Sequence, residues 1–405
     1  MKKKVFIIGS GFSSLSAACY LSKNNYDVHV YEKNKTLGGR ASQFKANGFT
    51  FDMGPSWYWM PDVFERFFND FGKTRSDFYS LQRLNPGYRV VFDKENQIQI
   101  GDDLDKIAFE FEKIEKGSGK KLKNFIKKAK NNYDLAVTNM LYKMPGKSIL
   151  ELINIDTVFK VNLFFKNIKN DVEKTFKDQR LRSILQFPVL FLGAKPSNTP
   201  AFYNFMNYAD FGLGTWQPKN GFYDVVRAMV DIGKQNGVKF NTNCDVQEIK
   251  VVNNEINGIV INGEYKKCDI LISGADYEHT ESLLEEKYKQ YSENYWKSRT
   301  WSPSSLLFYL GLNKKLKNLD HHNLFFDTDF DKHADEIYSN PKWPNDPLFY
   351  LNITSKTNSH TAPPGNENCF ILIPIATDLK DSEELREKYF KIILKRIKDV
   401  SGNDI

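Results

Sequence analysis

Three residues near the amino terminus stand at spacings that suit a nucleotide diphosphate. Gly9 and Gly11 lie in Gly9-Ser10-Gly11-Phe12-Ser13-Ser14, and an acid, Glu32, closes the next apolar run. A glycine at 9 permits a tight turn out of a strand. One at 11 removes the Cβ that would keep the backbone away from a pyrophosphate. A helix starting there turns its unbonded N–H groups and positive dipole end toward the phosphates. Glu32, followed by Lys33, stands where a carboxylate can accept hydrogen bonds from the adenosine ribose. The third glycine of the dinucleotide fingerprint is replaced by Ser14. That position serves close helix–strand packing, and serine is small enough to be tolerated there.

The elements that must position these residues are written around them. Val5-Phe6-Ile7-Ile8 is a continuous apolar run of the kind found in buried parallel strands. A helical pattern runs from about 13 to 23, with Leu15, Ala18, Cys19 and Leu21 apolar, and ends at Asn24-Asn25. Residues 27–31 form the next strand. Strand, glycines, helix, strand and terminal acid in this order identify a dinucleotide-binding βαβ unit.

Two further motifs follow: Leu37-Gly38-Gly39-Arg40-Ala41 and Gly48-Phe49-Thr50-Phe51-Asp52-Met53-Gly54-Pro55. Paired glycines let a second backbone segment close on the diphosphate, and Arg40 adds charge. Nicotinamide dehydrogenases do not need this clamp. The series Glu32, Gly38-Gly39-Arg40 and Asp52-Met53-Gly54-Pro55 resembles the flavin-containing amine oxidase superfamily, which includes monoamine oxidases, protoporphyrinogen oxidase and carotenoid desaturases. The resemblance implies FAD, with its ring system near residues 51–56, so Gly54, Pro55 and Ser56 join the candidate cofactor residues. It also implies that the backbone of Val246 meets the adenine and that Ala275 and Asp276 lie near the cofactor. Asp52 is expected to hold backbone. No catalytic base is assigned.

The implied fold class is α/β: a discontinuous Rossmann-like FAD-binding domain (residues 1–75 and 212–285) with an inserted α+β substrate domain of antiparallel strands and helices (76–211 and 286–405). Strands are expected within 75–100, at 238–240, as a hairpin of 245–251 and 255–260 around Asn253-Asn254, and at 268–273, 301–312, 348–353 and 370–374. Helices are expected at 61–71, 104–133 and 383–400. Gly193 with its Pro/Asn run, Gly214-Thr215-Trp216-Gln217-Pro218 and residues 304–311 resemble bacterial-type phytoene desaturases, although Asn220 stands where many relatives have the first of two glycines. This implies desaturation of phytoene, a long apolar carotenoid, by transfer of a hydride to the flavin and loss of a proton from the adjacent carbon. Reoxidation by a quinone or oxygen, not NAD, is implied as well. The final strand and glycine-rich turn of that family are expected beyond 398 and are not found, so the sheet is expected to present an unpaired edge. Another carotenoid desaturase or isomerase, an amine oxidase and an inactive FAD-binding remnant remain as alternatives.

Composition sets the outer limits. The chain has 405 residues, 41% hydrophobic and 26% charged, as in soluble proteins of two or three domains. Its net charge of +7 is dispersed among 50 acidic residues, which excludes a clustered nucleic-acid footprint. Four cysteines show neither CxxC pairing nor a disulfide or zinc spacing, so no metal is expected and a reducing cytoplasm fits. The lysine-rich stretches 120–130 and 158–168 carry Phe125, Phe159, Phe164 and Phe165. They are solvated helices packed on the core, or helices lying in a membrane interface. With an apolar substrate, the expected location is cytoplasmic, peripheral to the inner face of the cell membrane. Residues 187–207 are apolar and aromatic but broken by Gly193, Pro196 and Pro200; they suit the lining of an apolar tunnel rather than a membrane span. His321, His322 and His333 match no familiar metal spacing and are expected on the surface or in loops.

Overall fold

A strand with apolar residues on both faces needs cover on both sides. The computed structural model, which describes residues 2–142, 161–403 and 405, supplies that cover for the first strand. Val158 and Phe159 of the second lysine-rich stretch lie outside the described residues. The opening unit consists of β1 (Lys4–Ile8), α1 (Phe12–Lys23) and β2 (Asp27–Tyr31). In a fully parallel sheet, β1 lies between β2 and Ile270–Ser273, and Lys239–Asn241 flanks β2. The nucleotide-binding sheet is therefore discontinuous in sequence. Beside it stands an antiparallel sheet of Val246–Val252, Glu255–Ile261 and Glu264–Lys267. Its first turn places Asn253 and Asn254 at φ 53° and 62°, the left-handed pair of a two-residue hairpin.

The second layer is a six-stranded sheet in the order Ser304–Leu312, Glu367–Ile375, Phe349–Asn352, His322–Phe325, Tyr88–Val91, Gln97–Ile100. Only His322–Phe325 against Tyr88–Val91 is parallel; the other pairs are antiparallel. One face buries Ile371 and Ile373 against Tyr389 and Ile393 of the helix Glu383–Ser401. The other packs Leu324, Tyr350 and Phe370 against a helical layer that includes Phe111, Phe125 and Phe187.

Residues 104–133 form two helices rather than one, Leu104–Ile114 and Ser118–Tyr133. The break falls at Gly117, in the left-handed region at φ 84°, and a Cβ on Gly119 would stand 2.7 Å from the Ala108 carbonyl, so the helices touch backbone to backbone. Leu122, Phe125, Ile126 and Ala129 of the basic helix are buried in the core. That helix is a solvated one with its apolar face already covered. The two layers interlock. The hairpin Ser42–Ala46/Phe49–Met53 joins the large sheet through Asn368 Nδ2, which donates to the Thr50 carbonyl at 2.8 Å. Leu81–Arg83 pairs with Trp216–Pro218.

The helix Glu383–Ser401 thus completes one face of the large sheet. Ile393→Ala, at a fully buried position, should cost about 2–5 kcal/mol, read as a lower midpoint in urea unfolding followed by circular dichroism.

Candidate functional site

The turn after β1 has the geometry the glycines imply. Gly9 stands at φ 83°, and its N–H donates to the Tyr31 carbonyl at 2.8 Å. Gly11 is the N-cap of α1; no side chain caps that end and no acid lies in its first turn. A Cβ built on Gly11 would meet nothing within 4 Å. The helix end, with Phe12, Ser13 and Ser14 as its first residues, therefore faces open volume with amides that no side chain has claimed. Ser14 replaces glycine here because Gly274 opposes it: a Cβ at 274 would fall 1.9 Å from Ser14 Oγ. The small-residue requirement has moved to the residue that follows the partner strand.

Glu32 is 3% exposed, and its carboxylate is held by four hydrogen bonds. Ser10 donates to Oε2 through its N–H at 3.0 Å and its hydroxyl at 2.6 Å; Asn34 donates to Oε1 through its N–H at 2.9 Å and its amide at 2.8 Å. A ribose hydroxyl would replace one of the two side-chain donors. Lys33 is exposed beside it. Gly38 N–H donates back to Ser10, to the carbonyl at 3.1 Å and to Oγ at 3.0 Å. A Cβ on Gly39 would stand 3.1 Å from Gly11 Cα, and one on Gly54 would stand 2.2 Å from the carbonyl oxygen of Arg40. The second backbone segment therefore closes on the first, with the exposed Arg40 at the junction. Asp52 accepts from the Phe222 N–H at 2.6 Å and from Gln43 at 2.9 Å, so it does hold backbone.

The remaining candidates divide. Val246 is buried in its hairpin, two residues beyond Cys244, whose N–H donates to the Glu32 carbonyl at 2.9 Å. Ala275 lies next to Gly9, its nitrogen 3.8 Å from a Cβ built there. The Asp276 side chain caps the helix Tyr277–Ser282, accepting from Glu278 N–H at 3.0 Å. An uncapped helix end, an open volume at Gly11, a buried acid at the ribose position and a glycine clamp together fit the adenosine diphosphate half of FAD. When bound, FAD supplies the hydride acceptor.

At Gly54, Pro55 and Ser56 the clamp opens onto a cavity of about 390 Å³. Its walls are mostly apolar, with Trp57, Phe187, Phe191, Leu324 and Leu372 among them. Phe191 is 48% exposed and Leu192 beside it is exposed as well, which puts an apolar rim at one end. A larger groove of about 790 Å³, lined by charged residues such as Glu281, Arg299 and Asp378, shares none of the glycine motifs.

The histidines correct the sequence expectation of a surface role, for all three are buried; His322 lies on a strand and His333 on a helix, while His321 lies in a bend. His333 lines the cavity; Leu348 N–H donates to its Nδ1 at 3.0 Å and its Nε2 meets the Pro374 carbonyl at 3.0 Å. His322 stacks on Trp57, with ring centroids 4.2 Å apart, and its Nδ1 meets the Tyr350 hydroxyl at 2.6 Å. Burial holds His321 and His333 down to about 3 and 4 and His322 well below its ordinary value. The alternation His322, Leu324, Phe326, ending in two cavity residues, is the signal that marks 322 as inward-facing. Among the described residues no group of side chains is arranged to hold a metal ion.

Comparison with known proteins places these features. The family described as flavin containing amine oxidoreductase matches residues 12–399. A carotenoid 3,4-desaturase from Haloarcula japonica is 40% identical over 405 residues, covering 99% of this chain and 82% of that one. A zeta-carotene-forming phytoene desaturase from Myxococcus xanthus is 28% identical, covering 96% and 76%. The crystal structure of an oxidoreductase from Methanosarcina mazei superimposes with a TM-score of 0.66 at 18% identity, covering 99% and 85%.

Two outcomes follow from the geometry. Gly11→Val is compatible with the backbone at φ −66° but fills the open volume, so the purified variant should fold and emerge without flavin absorbance. A second concerns Asp210, buried under the Tyr88 hydroxyl at 2.7 Å and pushed by that burial from 3.8 up to about 8. The folded state then binds the extra proton, so stability falls as pH rises from about 4 toward 8. Asp210→Asn keeps the hydrogen bond and should flatten that slope in urea melts across this range.

Proposed function

Because the chain belongs to the flavin containing amine oxidoreductase family, we propose that its FAD accepts a hydride from an acyclic carotenoid, which gains a carbon–carbon double bond. The observation that carries this reading is the apolar cavity opening at Gly54-Pro55-Ser56. A hydrocarbon offers no hydrogen bonds, so such a site holds its substrate by shape and excluded water. The flavin carries the difficult chemistry; the chain orients one bond against it. Amine oxidation would call for a polar path to the flavin, whereas apolar side chains make up most of the cavity wall.

The substrate bond is argued from relatives. Greater identity to a carotenoid 3,4-desaturase than to a phytoene desaturase favours an already conjugated carotenoid. Phytoene is the second reading, favoured by the sequence blocks around Gly214 and residues 304–311. The exposed Phe191 and Leu192 at the cavity rim suit a protein that draws its substrate from a bilayer. Among the described residues no helix is long and apolar enough to cross a membrane. We place the protein in the cytoplasm, peripheral to the inner face of the cell membrane, and assign reoxidation to a quinone or oxygen.

Expression in one host making phytoene and in another making lycopene separates the readings. Lycopene should gain one double bond and a red-shifted spectrum, while phytoene stays unchanged. Coloured products from phytoene would reverse the order, and unchanged pigment in both hosts, with FAD-loaded protein present, would sink desaturation altogether.

A further inference from the structure

We propose that the groove of about 790 Å³ is a second substrate subsite, which receives the arm of the carotenoid that reaches beyond the flavin, and that Tyr338 stands at the passage from the apolar cavity into it. The proposal rests on the desaturase reading above. A carotenoid reacts at one bond, so the rest of its chain must lie elsewhere. The cavity at Gly54-Pro55-Ser56 holds about 390 Å³. That is near the lower end of the ~300–1,000 Å³ of sites that enclose drug-sized ligands, and an acyclic carotenoid is a much longer molecule.

The two spaces are consecutive along three stretches of chain. The helix Phe330–Tyr338 turns Phe330, His333 and Ala334 to the cavity, at the spacing of one helix face, and its last turn, Ile337 and Tyr338, lines cavity and groove alike. The strand Glu367–Ile375 brings Leu372 and Pro374 to the cavity from one of its faces, and the chain just past it lines the groove from Thr377 onward. Residues 301–305 make the same passage in the opposite chain direction, Trp301 in the groove and Pro303 in the cavity. Polar lining gathers on these stretches: Ser304, Ser305 and Tyr338 belong to them, whereas the Ser56 hydroxyl is tied to that of Tyr350 at 3.0 Å.

Much of the charge in the groove is bound off. Glu281 accepts from Trp296 Nε1 at 3.0 Å and from Gln290 N–H at 2.9 Å. Lys289 pairs with Glu286 at 2.7 Å and Lys297 with Glu293 at 3.6 Å, and the Arg299 guanidinium lies 4.4 Å from the Tyr295 ring centroid. Between these groups runs a row of aromatic rings. Trp301 stands 6.2 Å from Trp296, and Trp296 stands 5.5 Å from Tyr291. Trp301, the ring nearest the cavity in sequence, is 40% exposed. Grouped apolar surface left open in this way marks a place where something apolar binds. A polyene has a flat π face of its own, and aromatic rings hold such a face by stacking and by edge contact.

Two ways lead out of the cavity for the arm: past Tyr338 into the groove, or back over the exposed Phe191 and Leu192 at the rim. The second returns the chain to the medium it came from and gives the aromatic row nothing to do. The first keeps it against protein along its length. Tyr338 is then a specificity-determining residue. Its ring sets the width of the passage, and with it how long an arm the site accepts on that side. It acts on binding and takes no part in hydride or proton transfer.

Trp301→Ala and Tyr338→Trp test the subsite, the first by removing a ring from the groove and the second by narrowing the passage. Lycopene and its thirty-carbon counterpart are titrated onto FAD-loaded protein reduced with dithionite, which cannot turn over, and binding is followed by the shift of the polyene absorption band. Each variant should bind lycopene about tenfold more weakly than wild type does, and the shorter polyene less than about threefold more weakly. Equal losses for the two polyenes, or no loss for either, with FAD retained, overturn the proposal. Should both variants lose FAD, tryptophan-selective labelling of wild type mapped by mass spectrometry decides: protection of Trp301 by lycopene supports the subsite, and unchanged labelling refutes it. FAD-loaded, oxidised wild type that converts neither lycopene nor phytoene condemns the desaturase reading itself, a result on which the titrations, made without turnover, do not depend.

Discussion

The buried carboxylate of Glu32 is the joint on which the cofactor half of the molecule turns. A carboxylate at 3% exposure persists only if its oxygens are hydrogen-bonded. Here the four donors come from two loops, Ser10 after β1 and Asn34 after β2. The Ser10 hydroxyl donates to Glu32 while accepting from Gly38 N–H, so the same side chain recruits the glycine clamp. The clamp, through the close approach of Gly54 to Arg40, positions the residues that floor the cavity. One acid thus sets the phosphate turn, the clamp and the start of the substrate site in series, and a fault at the first is transmitted to the last.

The substrate half meets the opposite demand. A cavity for a hydrocarbon must be lined without polar atoms seeking partners, yet a carbon–carbon desaturation releases a charge. The chain meets this in part by binding off polar groups it keeps nearby. His333 is closed at both nitrogens by backbone, and Asp210 is sheltered under Tyr88, which packs on Trp57 and Phe187 of the cavity wall.

The cofactor unit was legible in the sequence because its determinants are local. Strand, turn, helix and acid lie within residues 4–32, and each glycine has a reason that can be stated without the rest of the molecule. The Asn253-Asn254 hairpin was legible for the same cause. The division of residues 104–133 was not, since it depends on Gly119 meeting the Ala108 backbone, a tertiary contact. Tolerance of Ser14 was expected, but its reason, Gly274, lies just past a strand far along the chain. His321 and His322 were not legible as buried residues, because their spacing bears only on metal sites and says nothing of burial. Their burial follows from the parallel pairing of Asn323 with Arg89, more than 200 residues away, and no local pattern announces such a pairing.

Trp57 connects the two demands. It follows directly on the glycine motif, it lines the cavity, and it stacks on His322 at an interplanar angle of 13°. An aromatic face offers the substrate an apolar wall while its other side covers an imidazole without competing for that ring's nitrogens. A smaller aliphatic residue would leave the cavity open to His322, and a polar one would claim Nδ1 or the Tyr350 hydroxyl. The large aromatic ring therefore does two things at once: it walls the cavity, and it covers the buried His322 ring.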